Sequence, residues 1–271
     1  DNVVYTGAAP NQNSIQLANF MMREFGSRVY MVGSDYVYPY ESNRIMSDIV
    51  LERGGKRVAE RYVKLDAGPG DFKEIFEDAK RQEPDFIFST VVGQATAHFY
   101  RAYAEAGLDP KKMPIASLTT SETEVAEMGA DVAAGHVTAA AYFQSIDTEL
   151  NRRCVSKVKS RYGSSAVTNM CWEAAYFQTY LLAGALDAVH TDNIQQVLPA
   201  ILGMEFNAPQ GPIRIDAANH HTYLTPRIGR VAADGQFEIL QATPTPVKPD
   251  PYLVDHSAQD WSSQVAVVGA R

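Results

Sequence analysis

Hydroxyl-bearing side chains follow three apolar segments of the chain, at the points where the segments end. The sequences there are Gly33-Ser34-Asp35-Tyr36-Val37-Tyr38, Ser89-Thr90-Val91-Val92-Gly93 and Ser117-Leu118-Thr119-Thr120-Ser121-Glu122. None of them contains the Lys or Arg that an anionic ligand would favour. Hydroxyls and backbone groups both donate and accept hydrogen bonds, so they suit a small neutral ligand. Ser and Thr also cap helices, but capping does not explain Tyr36 and Tyr38.

The sequence Met170-Cys171-Trp172-Glu173 is a second candidate for chemistry, because nitrilases carry a nucleophilic Cys followed by Trp and Glu. An activated thiol needs a base or a cationic neighbour. Cys171 instead opens an apolar helical stretch, where Trp172 and Tyr176 are typical of packing. We therefore expect no enzyme activity, and a Cys171-dependent amidase is the less favoured alternative.

The remaining polar residues predict no metal site and no cofactor. His220 and His221 are adjacent, so in a strand they would face opposite sides. Cys154 and Cys171 lack the paired spacing of a zinc site, and two buried free thiols are favoured over one disulfide. Asp35 and Glu122 follow predicted strands, where an acidic side chain stabilises the start of a helix.

Four apolar runs, spaced by roughly 30 residues as in βαβ units, predict the strands that position these hydroxyls. They are residues 28–32, 57–63, 85–92 and 114–118. Helical signals separate these runs. Residues 13–25 are amphipathic, and Pro39 suits the first turn of a helix that runs to residue 53. Asp71 is predicted to cap a helix at 72–81, and residues 121–124 form a capping box at the start of another helix. Strands and helices that alternate in this way predict a parallel sheet, whose carboxyl edge would collect the hydroxyls.

The pattern changes in the second half of the chain. Helices are predicted at 148–162, 172–189 and 193–202, and period-two alternation after Gly203 predicts short strands. The proline-containing segment 243–251 should run extended over the surface.

Composition excludes several classes of protein. The chain has 271 residues, of which 45% are hydrophobic and 21% charged, and a formal net charge of −8. These values argue against a disordered chain and against direct binding of nucleic acid. No apolar run approaches the roughly 20 residues of a membrane-spanning helix.

Several motifs resemble the type I periplasmic-binding-protein fold. Within that fold they are most similar to the amide-sensing regulators of aliphatic amidase expression and to urea and short-chain amide receptors of ABC transporters. The motifs are the three strand-end sequences above, residues 142–148 (Tyr-Phe-Gln-Ser-Ile-Asp-Thr), residues 172–176 (Trp-Glu-Ala-Ala-Tyr), residues 208–212 (Ala-Pro-Gln-Gly-Pro), residues 219–221 (Asn-His-His), residues 234–237 (Asp-Gly-Gln-Phe) and residues 249–252 (Pro-Asp-Pro-Tyr).

The resemblance implies an α/β fold with two lobes, parallel doubly wound sheets and three crossovers. Residues 7–142 and 222–271 would form the second lobe, and residues 1–6 and 143–221 the remainder of the first. The first half of the amino-terminal lobe would then be missing from this chain. That absence would leave apolar faces of the helices at Trp172 and Asn193 uncovered.

The resemblance also implies a function. A small neutral amide, such as acetamide or urea, would bind between the lobes, with Tyr36 and Thr119 as hydrogen-bonding contacts. The wall would contain Ser34, Tyr38, Thr90 and Val92. Amino-acid receptors of this fold hold an ammonium group, for which Asp35 and Glu122 are the candidates here.

Two outputs are consistent with this ligand site. In the favoured one, the chain is a cytoplasmic sensor that controls amidase expression through an antitermination protein. In the alternative, it is the periplasmic receptor of an ABC permease for urea, short-chain amides or branched-chain amino acids. The resemblance also allows a homodimer.

Overall fold

Unbroken apolar runs form the central strands of a seven-stranded sheet in the computed structural model, which describes residues 2–253. In chain order the strands are β1 (Arg28–Ser34), β2 (Lys56–Val63), β3 (Phe86–Thr90), β4 (Ile115–Ser117), β5 (Val137–Ala140), β6 (Glu205–Ala208), β7 (Gly211–Ile215), β8 (Thr222–Tyr223), β9 (Arg227–Val231) and β10 (Phe237–Ala242). The helices are α1 (Ser14–Glu24), α2 (Val37–Glu52), α3 (Lys73–Gln82), α4 (Gln94–Glu105), α5 (Glu122–Met128), α6 (Ala130–Ala133), α7 (Glu149–Tyr162), α8 (Met170–Val189) and α9 (Ile194–Ile201), and a 3-10 helix spans Pro69–Phe72.

The seven strands lie in the order β10-β9-β5-β4-β3-β1-β2. The five strands from β1 to β5 pair in parallel, and the four predicted apolar runs are β1 to β4. β9 is antiparallel to β5, and β10 is antiparallel to β9, so the sheet is mixed. The predicted α/β fold is confirmed, and its parallel part is the part that carries the hydroxyl-rich strand ends.

Helices cover both faces of the seven-stranded sheet, which explains why β1 and β3 are apolar without alternation. One face packs against aromatic residues that include Phe72, Phe76 and Phe99. The other packs against α1 and α2 through residues such as Leu17 and Met46.

Local capping signals position several helices as expected. The backbone N–H of Ser121 donates to Glu124 Oε2 over 2.8 Å, which completes the predicted capping box of α5. Thr148 caps α7 through its side chain. The prediction for Asp71 was wrong in detail, because its carboxylate accepts from the N–H of Gly68 and the 3-10 turn precedes α3.

The helices α7, α8 and α9 accompany a separate antiparallel sheet in the order β6-β7-β8. Its core contains Phe177, Leu181 and Ile215. On α8 and α9, Tyr180, Leu182 and Ile194 are exposed.

The proposed lobe boundaries remain predictions, and their last part, 254–271, lies outside the described residues. The boundary at 222 falls on β8, which pairs with β7 through Ile215 and Thr222. Cys154 is buried and Cys171 exposed, and both are free thiols, so the expectation of two buried thiols was wrong for Cys171.

Within residues 2–253, no helix is long and apolar enough to cross a membrane. The same part of the chain holds no group of three or more His, Cys, Asp or Glu side chains that could bind a metal ion.

Candidate ligand-binding site

The candidate site lies where the direction of the chain connections reverses within the parallel sheet. β1 is flanked by β2 on one side and β3 on the other, so the helices that follow β1 and β3 leave on opposite faces. Gly33 of β1 pairs with Thr90 of β3 at their carboxyl ends. A crevice at such a point is where open α/β sheets bind their ligands.

Hydrogen bonds hold the three strand-end loops together. The backbone N–H of Val92 donates to Ser34 Oγ over 3.2 Å, and Ser34 is completely buried. Thr119 Oγ1 donates to the carbonyl oxygen of Val91 over 2.9 Å. Thr119 and Val92 are half-buried, so both remain accessible to a ligand.

Thr90, which was predicted to line the wall of the ligand site, is completely buried. Its hydroxyl donates to Asn43 Oδ1 of α2 over 2.9 Å, and both residues are completely buried. Asn43 Nδ2 in turn donates to the Tyr62 hydroxyl over 3.3 Å. Thr90 therefore fixes α2 on the sheet beneath the site. Ser34 is likewise a buried support.

Tyr36 and Tyr38 stand side by side at the start of α2, with ring centroids 6.2 Å apart. Tyr36 is half-buried, and burial raises the pKa of its hydroxyl. Within residues 2–253 that hydroxyl has no hydrogen-bond partner. The residue Tyr38 is 37% exposed overall, but its hydroxyl group is buried and hydrogen-bonded to Ser42. Burial raises the pKa of this hydroxyl to about 12.

The first turn of α2 lies close against the strand end. A Cβ on Gly33 would come within 2.7 Å of both Pro39 Cβ and Thr90 Oγ1. Glycine is therefore required at this contact, which sets the height of Tyr36 and Tyr38 above the sheet.

The two acidic candidates for an ammonium ligand have protein partners. Asp35 is exposed, and its carboxylate accepts from the Tyr40 hydroxyl over 2.7 Å. Glu122 is 2% exposed, and its Oε1 accepts from the backbone N–H of Gln144 over 2.6 Å. These contacts favour structural roles for both carboxylates.

A family model described as periplasmic binding protein domain matches residues 1–258 of the sequence. The chain belongs to the periplasmic binding protein family. This membership agrees with the expectation that the chain performs no chemistry on its ligand.

Three relatives illustrate what this periplasmic binding protein is similar to. "Leu/Ile/Val-binding protein homolog 6" of Brucella melitensis is 24% identical over 223 residues, which are 81% of this chain and 56% of that protein. A protein of Geobacillus stearothermophilus named "Limonene hydroxylase" is 31% identical over 148 residues, 52% of this chain and 27% of that protein. The chain thus spans about half, or less, of the length of these curated relatives.

The third relative is known from a solved structure, that of a solute binding protein of an ABC transporter from Rhodopseudomonas palustris BisB5 in complex with 3,4-dihydroxybenzoic acid. It is 24% identical, has a TM-score of 0.81, and the match covers 90% of this chain and 68% of that one. This likeness shows that the fold is shared.

Polar contacts join the three predicted crossovers, which would lie near Gly7, Tyr142 and Thr222. Thr222 Oγ1 donates to the carbonyl oxygen of Tyr5 over 2.7 Å, which connects the first predicted crossover to the third. The Arg227 guanidinium donates to the carbonyl oxygens of Ala141 and Thr225, which connects the second to the third. Burial lowers the pKa of Arg227 to about 10.

A buried carboxyl group lies beside this guanidinium. Glu173 accepts from Gln210 Nε2 over 2.9 Å, and Arg227 donates to the Gln210 carbonyl oxygen over 2.8 Å. Burial raises the pKa of Glu173 to about 7, although Arg227 acts in the opposite direction.

The contacts of Asn43, Gln144 and Arg227 were not predicted from the sequence. Asn43 follows Pro39 by four residues, so a polar residue on the sheet-facing side of a predicted helix was an available signal. Gln144 and Arg227 gave no comparable signal, because their partners are remote in the sequence.

Proposed function

We propose that this chain is the ligand-binding part of a periplasmic solute receptor for an ABC permease, and that it binds a small uncharged amide such as acetamide or urea. The observation that carries this proposal is the hydroxyl of the half-buried residue Tyr36. Within residues 2–253 it has no protein partner, and it stands at the reversal point of the parallel sheet. A hydroxyl in that position provides one hydrogen bond for a ligand.

The transport function is supported by the printed names of the relatives, which include a Leu/Ile/Val-binding protein homolog and a solute binding protein of an ABC transporter. The other sequence-based hypothesis, a cytoplasmic regulator that acts through an antitermination protein, has no support from these names. We therefore prefer the permease as the partner and the periplasm as the location.

The amide assignment rests on the chemistry of the crevice. Residues 33–38, 89–94 and 117–122 contain no Lys or Arg. Burying a carboxylate without a partner costs more free energy than burying an amide, whose C=O and NH₂ groups match hydroxyl and backbone partners.

Calorimetric titration with acetamide, urea, leucine and 3,4-dihydroxybenzoate tests the proposal. We expect acetamide or urea to bind most tightly, and Tyr36→Phe to weaken that binding by about tenfold because a buried ligand group loses its partner. Tyr38→Phe is the matched control, because its hydroxyl already bonds Ser42. Tighter binding of leucine or the aromatic acid would disprove the amide assignment, and equal affinities of wild type and Tyr36→Phe would disprove the role of Tyr36.

A further inference from the structure

Gln144 uses its backbone and side-chain groups to connect four separate parts of the chain. Its backbone N–H donates to Glu122 Oε1 over 2.6 Å, and its carbonyl oxygen accepts from Asn151 Nδ2 over 3.0 Å. Its side-chain Oε1 accepts from the N–H of Thr168 over 2.9 Å, and its Nε2 donates to Gln236 Oε1 over 2.9 Å. The predicted second crossover, near Tyr142, is therefore fixed to α5, α7, the segment before α8 and the β9–β10 hairpin. We refer to these contacts of Gln144 as the junction.

Glu122 has an incomplete set of partners within this junction. Its Oε2 is buried and has no hydrogen-bond partner within residues 2–253. Among the described residues, the ionisable groups that face the carboxyl are Glu124 on α5 and Tyr142, and neither supplies a positive charge. Burial raises the pKa of Glu122 to about 7.

The segment that carries Glu122 is continuous with the candidate ligand site. Glu122 follows Thr119 by three residues, and Ser117 Oγ accepts from the backbone N–H groups of both Thr119 and Thr120 over 3.0 Å. Thr120 Oγ1 also bonds the Tyr100 hydroxyl over 2.9 Å. Because Glu122 and Thr119 lie in one short segment that these bonds order, we expect a displacement of Glu122 to move Thr119.

We propose that Glu122 is a positioning residue for the ligand site, whose neutral carboxyl holds the β4–α5 loop against Gln144 and whose loss of a proton releases that contact. This inference rests on the proposed function, because it concerns regulation of the same site. The proton passes to solvent, and the resulting carboxylate favours hydration over burial without a cationic partner.

Water has a route to the junction. A groove of about 490 Å³ is lined by Gln144, Asn151 and neighbouring residues of α7. The groove reaches Gln144, the partner of Glu122, so we expect a local displacement of this segment to hydrate ionised Glu122. In the described arrangement the junction is closed, so acid conditions should preserve it.

Trp172 gives a measure of the junction that needs no ligand. Its ring lies 6.0 Å from that of Tyr142, whose hydroxyl bonds both Asn151 and Thr168, the partners of Gln144. In a W261F background Trp172 is the sole tryptophan. We expect the fluorescence of Trp172 to change with a midpoint near pH 7. This change should be lost in Glu122→Gln. It should persist in Glu127→Gln, an exposed control on the same helix.

Hydrogen exchange of the Gln144 amide provides a second readout in the wild-type chain. After correction for intrinsic exchange, its protection should fall by about tenfold between about pH 6 and about pH 8. Constant protection over that interval would overturn the inference, even if Glu122→Gln did not fold. A fluorescence transition of equal midpoint and amplitude in wild type and Glu122→Gln would also overturn it.

Acetamide titrations over the same pH interval separate this inference from the proposed function. Affinity that falls above pH 7 in wild type but not in Glu122→Gln supports both proposals. Absence of acetamide binding at every pH, together with a Glu122-dependent Trp172 transition, would disprove the ligand and support the positioning role.

Discussion

At the scale of single residues, identical hydroxyls at neighbouring strand ends have different functions. Thr90 is completely buried and bonds Asn43, whereas Thr119 is half-buried and bonds the carbonyl oxygen of Val91. Thr90 therefore stabilises the structure beneath the candidate site, whereas Thr119 forms part of the surface of that site. Composition at the strand ends did not distinguish them, because α2 determines which hydroxyl is covered.

Thr90→Val should therefore reduce stability and leave the site surface intact. The substitution deprives buried Asn43 Oδ1 of its donor, and we expect the free energy of unfolding to fall by about 1 to 3 kcal/mol. Thr119→Val should lower stability less, because the Val91 carbonyl oxygen still accepts a hydrogen bond from Thr96 Oγ1. The same substitution should weaken acetamide binding more than Thr90→Val does. Urea denaturation and calorimetry of the two variants check this contrast, which similar losses in both would contradict.

Glu173 should make stability depend on pH. Burial raises its pKa in the folded chain to about 7 from 4.5, so the folded state binds more protons than the unfolded state between these values. Its contribution is fully present below about pH 4.5 and is lost as the pH rises through about 7, a change of about 1 to 3 kcal/mol.

Denaturation midpoints between about pH 5 and about pH 8 measure this effect. The decline should be shallower in Glu173→Gln and unchanged in Glu105→Gln, an exposed control on α4. A decline of the same steepness in wild type and Glu173→Gln would assign the pH dependence to other groups.

At the scale of helices and strands, the close packing of α2 on β1 can be tested at Gly33. Gly33→Ala would place a methyl group 2.7 Å from Pro39 Cβ, so we expect α2 to shift and the free energy of unfolding to fall by about 1 to 3 kcal/mol. Gly70→Ala is the control, because a Cβ there meets nothing within 4 Å. Thermal unfolding should show a loss for Gly33→Ala only.

The regular elements were predictable because their signals are local. Continuous apolar runs predicted β1 to β4, and Ser121 with Glu124 predicted the start of α5 within a single helical turn. Their spacing also indicated parallel pairing, and hence the shared edge on which Ser34, Val92 and Thr119 meet.

The junction was not predictable in the same way. The bond of Gln144 to Gln236 joins residues 92 positions apart, and that of Arg227 to Ala141 joins residues 86 apart. No periodicity encodes such contacts, since they depend on how the crossovers lie in three dimensions. The resemblance of residues 142–148 to a known fold marked this segment, but not its bonding.

At the scale of the whole molecule, the apolar face of α8 should make the chain self-associate. Leu182 is 47% exposed there, and half-buried Leu186 lies one turn further along the same side of the helix. Because contiguous exposed apolar surface favours association, Leu182→Lys should increase the monomer fraction in sedimentation velocity experiments. Leu65→Lys, at a 53% exposed leucine beside the large sheet, is the control. A monomeric wild type at high concentration would contradict this prediction.

The burial of Ser34, Thr90 and Asn43 has an evolutionary consequence. These three side chains are completely buried and hydrogen-bonded, so we expect stability to depend on them. The predicted site residues Tyr36, Tyr38, Val92 and Thr119 have more of their surface accessible. We expect substitutions of these accessible residues to alter ligand preference while the protein stays folded. Natural selection can then act separately on the accessible residues and on the buried ones. For the proposed receptor, this separation means that a new ligand specificity can arise through a few changes in three loops, without passing through an unstable ancestor.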